Sequence, residues 1–195
     1  MTKSRIALIA LAIGCIAMLG AGTAAYFTVQ DTAYNVITTG LLDMTLQEVT
    51  ADGAPEGTPL DQLPPFEDAF GVMPGEEISK IVFVENTGTA DFYTRVKLDT
   101  QVVGENGEAM DAGVISLDMN ETDWTLQDGW YYYNGIVAPG ESTPVLFTTV
   151  TFAPEMDNPY MNATATINVL AQSVQSKNNP DSALTASGWP AEDAE

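Results

Sequence analysis

The sequence predicts an all-β protein: an antiparallel β-sandwich of jelly-roll or immunoglobulin-like topology that follows an N-terminal signal peptide. Three observations lead to this prediction. Apolar and polar residues alternate with a period of two in several runs, as in strands that bury one face. Turn-forming pairs with glycine, proline or asparagine separate those runs. No stretch between residues 26 and 180 shows a sustained 3.6-residue amphipathic period.

The composition excludes several classes of function. The chain has 195 residues, of which 27 are acidic and six are basic, and it has no histidine and one cysteine. A histidine-based catalytic triad or zinc site is therefore impossible. We expect no nucleic-acid partner, because phosphate binding needs basic surface and the formal charge here is −21. Hydrophobic residues make up 45% of the chain, which is enough for a packed core.

Residues 1–25 have the pattern of an export signal. Two basic residues precede an apolar run that is shorter than the ~20 residues needed to span a bilayer, and small residues follow it. We expect signal peptidase to cut between Ala25 and Tyr26, so that only the signal peptide meets the membrane. An uncleaved anchor and a lipoprotein processed at Cys15 are the alternatives. Cleavage removes two basic residues and no acidic one, so the formal charge of −21 becomes −23 and no cysteine remains for a disulfide.

The predicted β-sandwich domain occupies residues 26–173. Its clearest strands are 92–98 and 163–171, where alternate residues are apolar. Runs of β-branched and aromatic residues on both faces predict central strands at 78–84 and 145–152. Shorter candidate strands are 32–38, 41–49, 114–117, 124–126 and 130–137. These runs supply enough strands for two packed sheets.

Two stretches are predicted to lie outside the strands. Residues 51–70 contain four prolines and five acidic residues and are expected to form a long loop. Residues 174–195 are expected to form a polar, acidic C-terminal tail. Pro180 suits a first helical turn and Asp181 suits its dipole, which favours one short helix over 180–187.

The acidic residues offer a candidate cation site at 118–123, and residues 105–111 form a second acidic turn. Asp118, Asn120, Glu121 and Asp123 place oxygen atoms at short intervals, and Ca²⁺ takes six to eight oxygen ligands in proteins. The run lacks the glycine of an EF-hand loop, so diffuse counterion binding is the alternative. A pair of carboxylates acting as acid and base, as in glycosidases, is a further alternative. We expect no other cofactor.

The aromatic run at 130–133 allows two interpretations. Trp130 and Tyr132 share one face of a strand, and Tyr131 and Tyr133 share the other. One pair is expected in the core. The other would be ordinary sheet surface, a glycan-stacking platform or a contact between subunits.

The segment 26–37 would become the new N-terminus after cleavage. It is β-prone and can pair with a free sheet edge of a neighbouring subunit. Its alternative role is an edge strand of its own domain, and the two roles are compatible if the strand pairs internally in the monomer and exchanges in a polymer. The residues predicted for this assembly strand are Tyr26, Phe27, Val29, Tyr34 and Val36.

Several short motifs follow one another along the chain. They are Gly-Thr-Ala-Ala-Tyr-Phe at 22–27, Gly-Leu-Leu-Asp-Met-Thr-Leu at 40–46, Pro-Gly-Glu at 74–76 and 139–141, Asn-Thr-Gly at 86–88 and Tyr-Thr-Arg at 93–95. In their order and spacing the chain resembles the TasA/camelysin-type family of exported proteins, whose signal peptides are cut by the dedicated signal peptidase SipW. The resemblance implies a jelly-roll subunit of biofilm-matrix fibres or of the cell surface. Some members are described as metalloproteases, but this chain has no histidine for a conventional zinc site.

We therefore expect a secreted, non-enzymatic protein with a structural or adhesive role at the cell surface or in the extracellular matrix. Its partners would be further copies of itself, in fibres, or other matrix proteins, and signal peptidase during export. A monomeric Ca²⁺- or glycan-binding adhesion module is one alternative. A cell-surface hydrolase, such as a camelysin-like peptidase, is another.

Overall fold

The protein is a β-sandwich of two sheets, which confirms the predicted fold class. The computed structural model describes residues 27–36, 42–156, 158–179 and 182–191. The strands are β1 (Phe27–Val36), β2 (Met44–Val49), β3 (Ala69–Val72), β4 (Glu77–Asn86), β5 (Phe92–Val103), β6 (Ala109–Met110), β7 (Ile115–Leu117), β8 (Trp124–Gln127), β9 (Trp130–Tyr133), β10 (Phe147–Phe152) and β11 (Thr164–Gln175). Short 3₁₀ turns lie at Leu60–Gln62, Ala112–Val114, Asn158–Tyr160 and Ala183–Thr185.

The two sheets differ in size and in how the chain builds them. The larger sheet has seven strands in the order β3-β1-β11-β5-β9-β8, with β6 also paired to β5. The smaller sheet has four strands in the order β2-β4-β10-β7. The pairings are antiparallel, as predicted, except that β1 and β11 run parallel. The strands nearest the two ends of the described chain therefore lie side by side in the larger sheet.

The core lies between the sheets and follows the predicted alternation. Val96 of β5 and Ile167 and Val169 of β11 are completely buried and face inward, as the period-two pattern predicts. Val82 and Val84 of β4 pack against them from the smaller sheet. The sandwich is thus held together by apolar side chains of both sheets, and burial of this kind is the main favourable contribution to folding.

Two strands were not predicted from the sequence. β3 begins at Ala69, inside the segment expected to be a loop, and β6 has only two residues. Neither shows a periodic apolar pattern of its own. Each exists because a longer strand offers a free edge: β3 pairs with β1 and β6 pairs with β5.

The C-terminal region also departs from the prediction. β11 continues to Gln175, two residues past the expected end of the domain at 173. The helix expected over 180–187 is a single 3₁₀ turn, Ala183–Thr185, which begins after Ser182. The Ser182 side chain accepts a hydrogen bond from the Leu184 amide, and the turn begins at Ala183, three residues after the predicted start of the helix at 180. Residues 180 and 181 lie outside the described residues.

A charged pair is buried at the inner face of the smaller sheet. Lys80 of β4 is completely buried, and its Nζ lies 3.4 Å from Oε1 of Glu48 on β2. The same Nζ lies 4.3 Å from the ring centroid of Phe66, which belongs to the long loop after β2. The predicted strand at 78–84 is correct, but alternation alone does not indicate that a lysine in it would be buried.

Candidate functional site

The backbone of β1 contains four of the five residues predicted for the assembly strand. Tyr26 and the predicted cleavage position at Ala25 lie outside the described residues. β1 pairs within its own chain, between β11 and β3, and is therefore not an edge strand. Its parallel register with β11 is unbroken over nine residue pairs, from Thr28 opposite Thr164 to Val36 opposite Gln172.

The position occupied by β1 is called here the β1 slot, the gap between β3 and β11. On the β11 side the slot is bordered by residues whose inner side chains belong to the core. Ala165, Ile167, Val169 and Ala171 all have 0% exposure. An empty slot would leave the backbone edge of β11 without its parallel partner, next to the apolar core.

Asp118, the first residue of the predicted Ca²⁺ site, accepts hydrogen bonds from strand β10. Its carboxylate accepts hydrogen bonds from the Thr148 amide at 2.8 Å and the Thr149 amide at 2.7 Å. The Thr148 hydroxyl also donates to it. Partial burial raises the pKa of Asp118, but these hydrogen bonds outweigh that effect, so its pKa lies below the ordinary value.

The other three candidate ligands do not converge with Asp118. Asn120 organises the turn that follows: its Oδ1 accepts the Asp123 amide, and its Nδ2 donates to Oδ2 of Asp123 at 3.0 Å. Glu121 is exposed. Within the parts of the chain that the structure describes, no three histidine, cysteine, aspartate or glutamate side chains form a group that could hold a metal ion. The run 118–123 is thus a hydrogen-bonded turn in this structure, and calcium binding there stays a prediction.

The aromatic run on β9 is half-buried on one face and buried on the other. Tyr131 and Tyr133 pack against the main core, and burial together with nearby carboxylates raises the pKa of both phenols. Trp130 and Tyr132 are only 3% and 6% exposed and lie in a second cluster on the outer face of the larger sheet. The hypothesis of an exposed aromatic platform is therefore corrected, because chain that follows β11 covers the outer pair.

An arginine lies at the centre of this outer cluster. The guanidinium carbon of Arg95 is 3.9 Å from the ring centroid of Trp130 and 4.6 Å from that of Trp189. Its Nε and Nη2 donate to Oε1 of Gln172 at 3.0 and 2.7 Å, and Nη1 donates to the Tyr132 hydroxyl at 3.0 Å. We call these five residues the Arg95 stack.

Residues 182–191, called here the strap, supply the cover. Ala183 is buried, and Leu184, Ala186 and Trp189 pack against the outer cluster. The Trp189 ring meets the Tyr132 ring edge-on, with centroids 5.8 Å apart. The sequence predicted this stretch as part of a polar tail, and the signal for its burial was Trp189, an aromatic residue among small ones.

In the described residues, no helix has the length and apolar character needed to cross a membrane. The fold and the β1 slot define a two-sheet β-sandwich in which one strand of the larger sheet comes from the N-terminal end of the described chain. Comparisons with protein-family models, with curated proteins and with solved structures found no match.

Proposed function

We propose that this chain is an exported structural or adhesive protein of the cell surface or extracellular matrix, which assembles into fibres when β1 adds to the sheet of a neighbouring copy. The observation that carries the proposal is the β1 slot. A nine-residue ladder joins β1 to β11, and β3 flanks it on the other side. A strand that enters the slot from another copy would make the same backbone hydrogen bonds.

Exchange of such a strand between copies has a low free-energy cost. The main-chain donors and acceptors along β11 do not distinguish the β1 of the same chain from that of another copy, and swapping an identical element is a low-cost route to association. A one-way exchange, in which each copy gives β1 to the next, does not close on itself and would propagate as a filament. The motif resemblance to the TasA/camelysin-type family supports the same function.

The alternatives have less support from the described side chains. The candidate Ca²⁺ ligands Asp118 and Asn120 are engaged in internal hydrogen bonds. The candidate glycan platform at 130–133 is half-buried on one face and buried under the strap on the other. A hydrolase with a conventional zinc site has no histidine to use.

The acidity of the chain should control the rate of assembly. Each copy without residues 1–25 would carry a formal charge of −23, so association is opposed by repulsion. The Debye length falls to about 8 Å at physiological salt, and protonation of carboxylates near pH 4 removes charge. We expect slow assembly in dilute neutral buffer and faster assembly with added Ca²⁺ or at about pH 4–5.

The test compares the chain beginning at Tyr26 with a variant beginning at Gly40. Both are measured in dilute neutral buffer, and again with added Ca²⁺ or at about pH 4–5. Light scattering and electron microscopy report polymer, and circular dichroism reports folding. A synthetic peptide of residues 26–39 should slow assembly of the longer chain by filling the slot, whereas a scrambled peptide should not. The proposal is wrong if the shorter chain stays folded and polymerises as readily as the longer one. If neither polymerises under any condition, the monomeric binding module becomes the better hypothesis.

A further inference from the structure

The outer face of the larger sheet carries an apolar cluster that is separate from the sandwich core. It consists of buried side chains from β5, β9 and β11, which the second sheet does not touch. Its buried members in the sheet are Tyr93, Trp130, Tyr132 and Val174. What removes this cluster from water is the strap, through Ala183, Leu184, Ala186 and Trp189. The cluster thus forms a groove on the sheet, and the strap occupies that groove.

The groove is built mainly by the sheet. Gln172, only 1% exposed, receives two hydrogen bonds from Arg95 and fixes the plane of the guanidinium. Trp130 lies on one face of that plane, and Tyr132 accepts a further hydrogen bond. The strap contributes to the Arg95 stack only the Trp189 ring, whose centroid lies 4.6 Å from the guanidinium carbon. The sheet therefore holds the Arg95 cation in place beside the aromatic rings of Trp130 and Tyr132. A cation in this position attracts the aromatic ring of a ligand.

The chemistry of the groove is unusual for so acidic a chain. Although 27 acidic residues are present in the sequence, the contacts of Arg95 within the described residues are to neutral groups: an amide, a phenol and aromatic rings. Lys97 lies on the same face, with its Nζ 5.7 Å from the Trp130 centroid. A ligand that carries an aromatic ring and little positive charge fits such a surface.

The strap meets the sheet through side chains. Its own backbone hydrogen bonds are local, from Thr185 to Ser182 and from Ala186 to Ala183. The Ser187 amide donates to Oδ1 of Asn179 at 2.9 Å, at the start of the segment that leads into the strap. Since the strap is not a strand of the sheet, it can leave the groove without breaking a β-ladder.

We propose that the groove formed by Arg95, Trp130 and Tyr132 is a peptide-binding site, that residues 182–191 are its resident ligand, and that the same segment of a second copy binds it in trans. The attached strap has an effective concentration in the millimolar range, so it normally excludes the free segment. The strap of a second copy occupies the groove to a significant extent when the attached strap binds more weakly, or when the copies are concentrated. This site is separate from the β1 slot and does not depend on the function proposed above.

The test uses the chain that begins at Tyr26 and a fluorescein-labelled peptide with the sequence of residues 182–191. In W189A the attached strap loses its ring on Arg95, so the peptide should bind this variant about tenfold more tightly than the unchanged chain, as measured by anisotropy. W189F keeps an aromatic ring on Arg95 and should behave like the unchanged chain. A peptide with alanine in place of its tryptophan should not bind W189A. Adding R95K to W189A should weaken binding about tenfold, because a lysine cannot form the planar stack.

Near-UV circular dichroism checks that each variant keeps its packed core. Should W189A not fold, L184A loosens the strap at a different contact and serves as the acceptor in the same measurement. Absence of peptide binding to a folded W189A or L184A would overturn the proposal. Equal binding to the weakened and the unchanged chain, or binding that is indifferent to the tryptophan of the peptide, would overturn it as well, because the peptide would then be bound elsewhere.

Discussion

The buried pair Lys80–Glu48 allows a quantitative prediction about what stabilises the smaller sheet. The perturbation is Lys80→Met, which keeps an unbranched side chain one atom shorter and removes its charge. Lys80 is 0% exposed and Glu48 is 6% exposed, so the substitution leaves a carboxylate buried without its cation. Removal of one member of a buried pair costs about 3–5 kcal/mol, and we expect a loss of that size in the free energy of unfolding.

The geometry explains why the Lys80–Glu48 pair is not strongly stabilising: the attraction between the two charges and the cost of removing them from water nearly cancel. At the observed separation of 3.4 Å, with an effective dielectric constant of about 20, the attraction is about 5 kcal/mol. Withdrawing each ion from water costs several kcal/mol, which offsets most of that attraction. Replacing both partners, as in the double variant Lys80→Met with Glu48→Leu, should therefore give a stability within about 2 kcal/mol of the unchanged chain.

The measurement is equilibrium unfolding in urea of the unchanged chain, both single variants and the double variant. Lys177→Met is the matched control, because Lys177 is exposed and its loss should change stability by less than about 0.5 kcal/mol. The coupling energy from the cycle should be about 3 kcal/mol or more. The reasoning is refuted if Lys80→Met costs no more than Lys177→Met, or if the double variant loses the sum of the two single losses.

Three further predictions concern local features of the fold. Asn86→Leu should lower the free energy of unfolding by more than about 2 kcal/mol in urea titrations, because the buried Asn86 side chain hydrogen-bonds to three backbone groups. Asp118→Asn should lower the melting temperature at pH 7. Hydrogen bonding lowers the folded-state pKa of Asp118, so its stabilisation is complete above the ordinary value of 3.8 and is lost as the pH falls through the folded value. The difference between the two melting temperatures should therefore shrink only below pH 3.8. Gly129→Ala, at φ = 80° in the β8–β9 turn with open space around it, should cost about 1 kcal/mol through backbone conformation alone, and an equal stability of the two chains would contradict this.

The fold could be predicted from the sequence where the pattern is local and long. β5 and β11 alternate over many residues, and their inward faces are the ones that the pattern indicates. The turn at 128–129 was also predictable, because Asp-Gly favours the positive φ angles that are observed there. β3 was not predictable, since it has four residues and depends on β1, which lies about forty residues earlier in the sequence.

The candidate sites, in contrast to the long strands, could not be predicted correctly from the sequence. The spacing of Asp118, Asn120 and Asp123 indicates that oxygen atoms are available, but not which of them already accept hydrogen bonds from the backbone. Likewise the alternation at 130–133 separates the two aromatic faces correctly, and only the tertiary structure shows that the strap covers the outer one. Period-two patterns report the two faces of a strand, and they carry no information about what lies over the outer face.

The association between copies that is proposed above would involve the larger sheet. Both segments belong to this sheet: β1 completes its hydrogen bonding between β3 and β11, and the strap covers its outer face. The smaller sheet is built from interior segments of the chain and has its own buried ion pair. Exchange of either segment, as proposed above, would therefore affect the larger sheet and spare the smaller one. The two proposals can then be separated in one set of samples. Removal of β1 should abolish fibres while tryptophan fluorescence still reports an intact Arg95 stack, whereas W189A should open the groove while fibres still form.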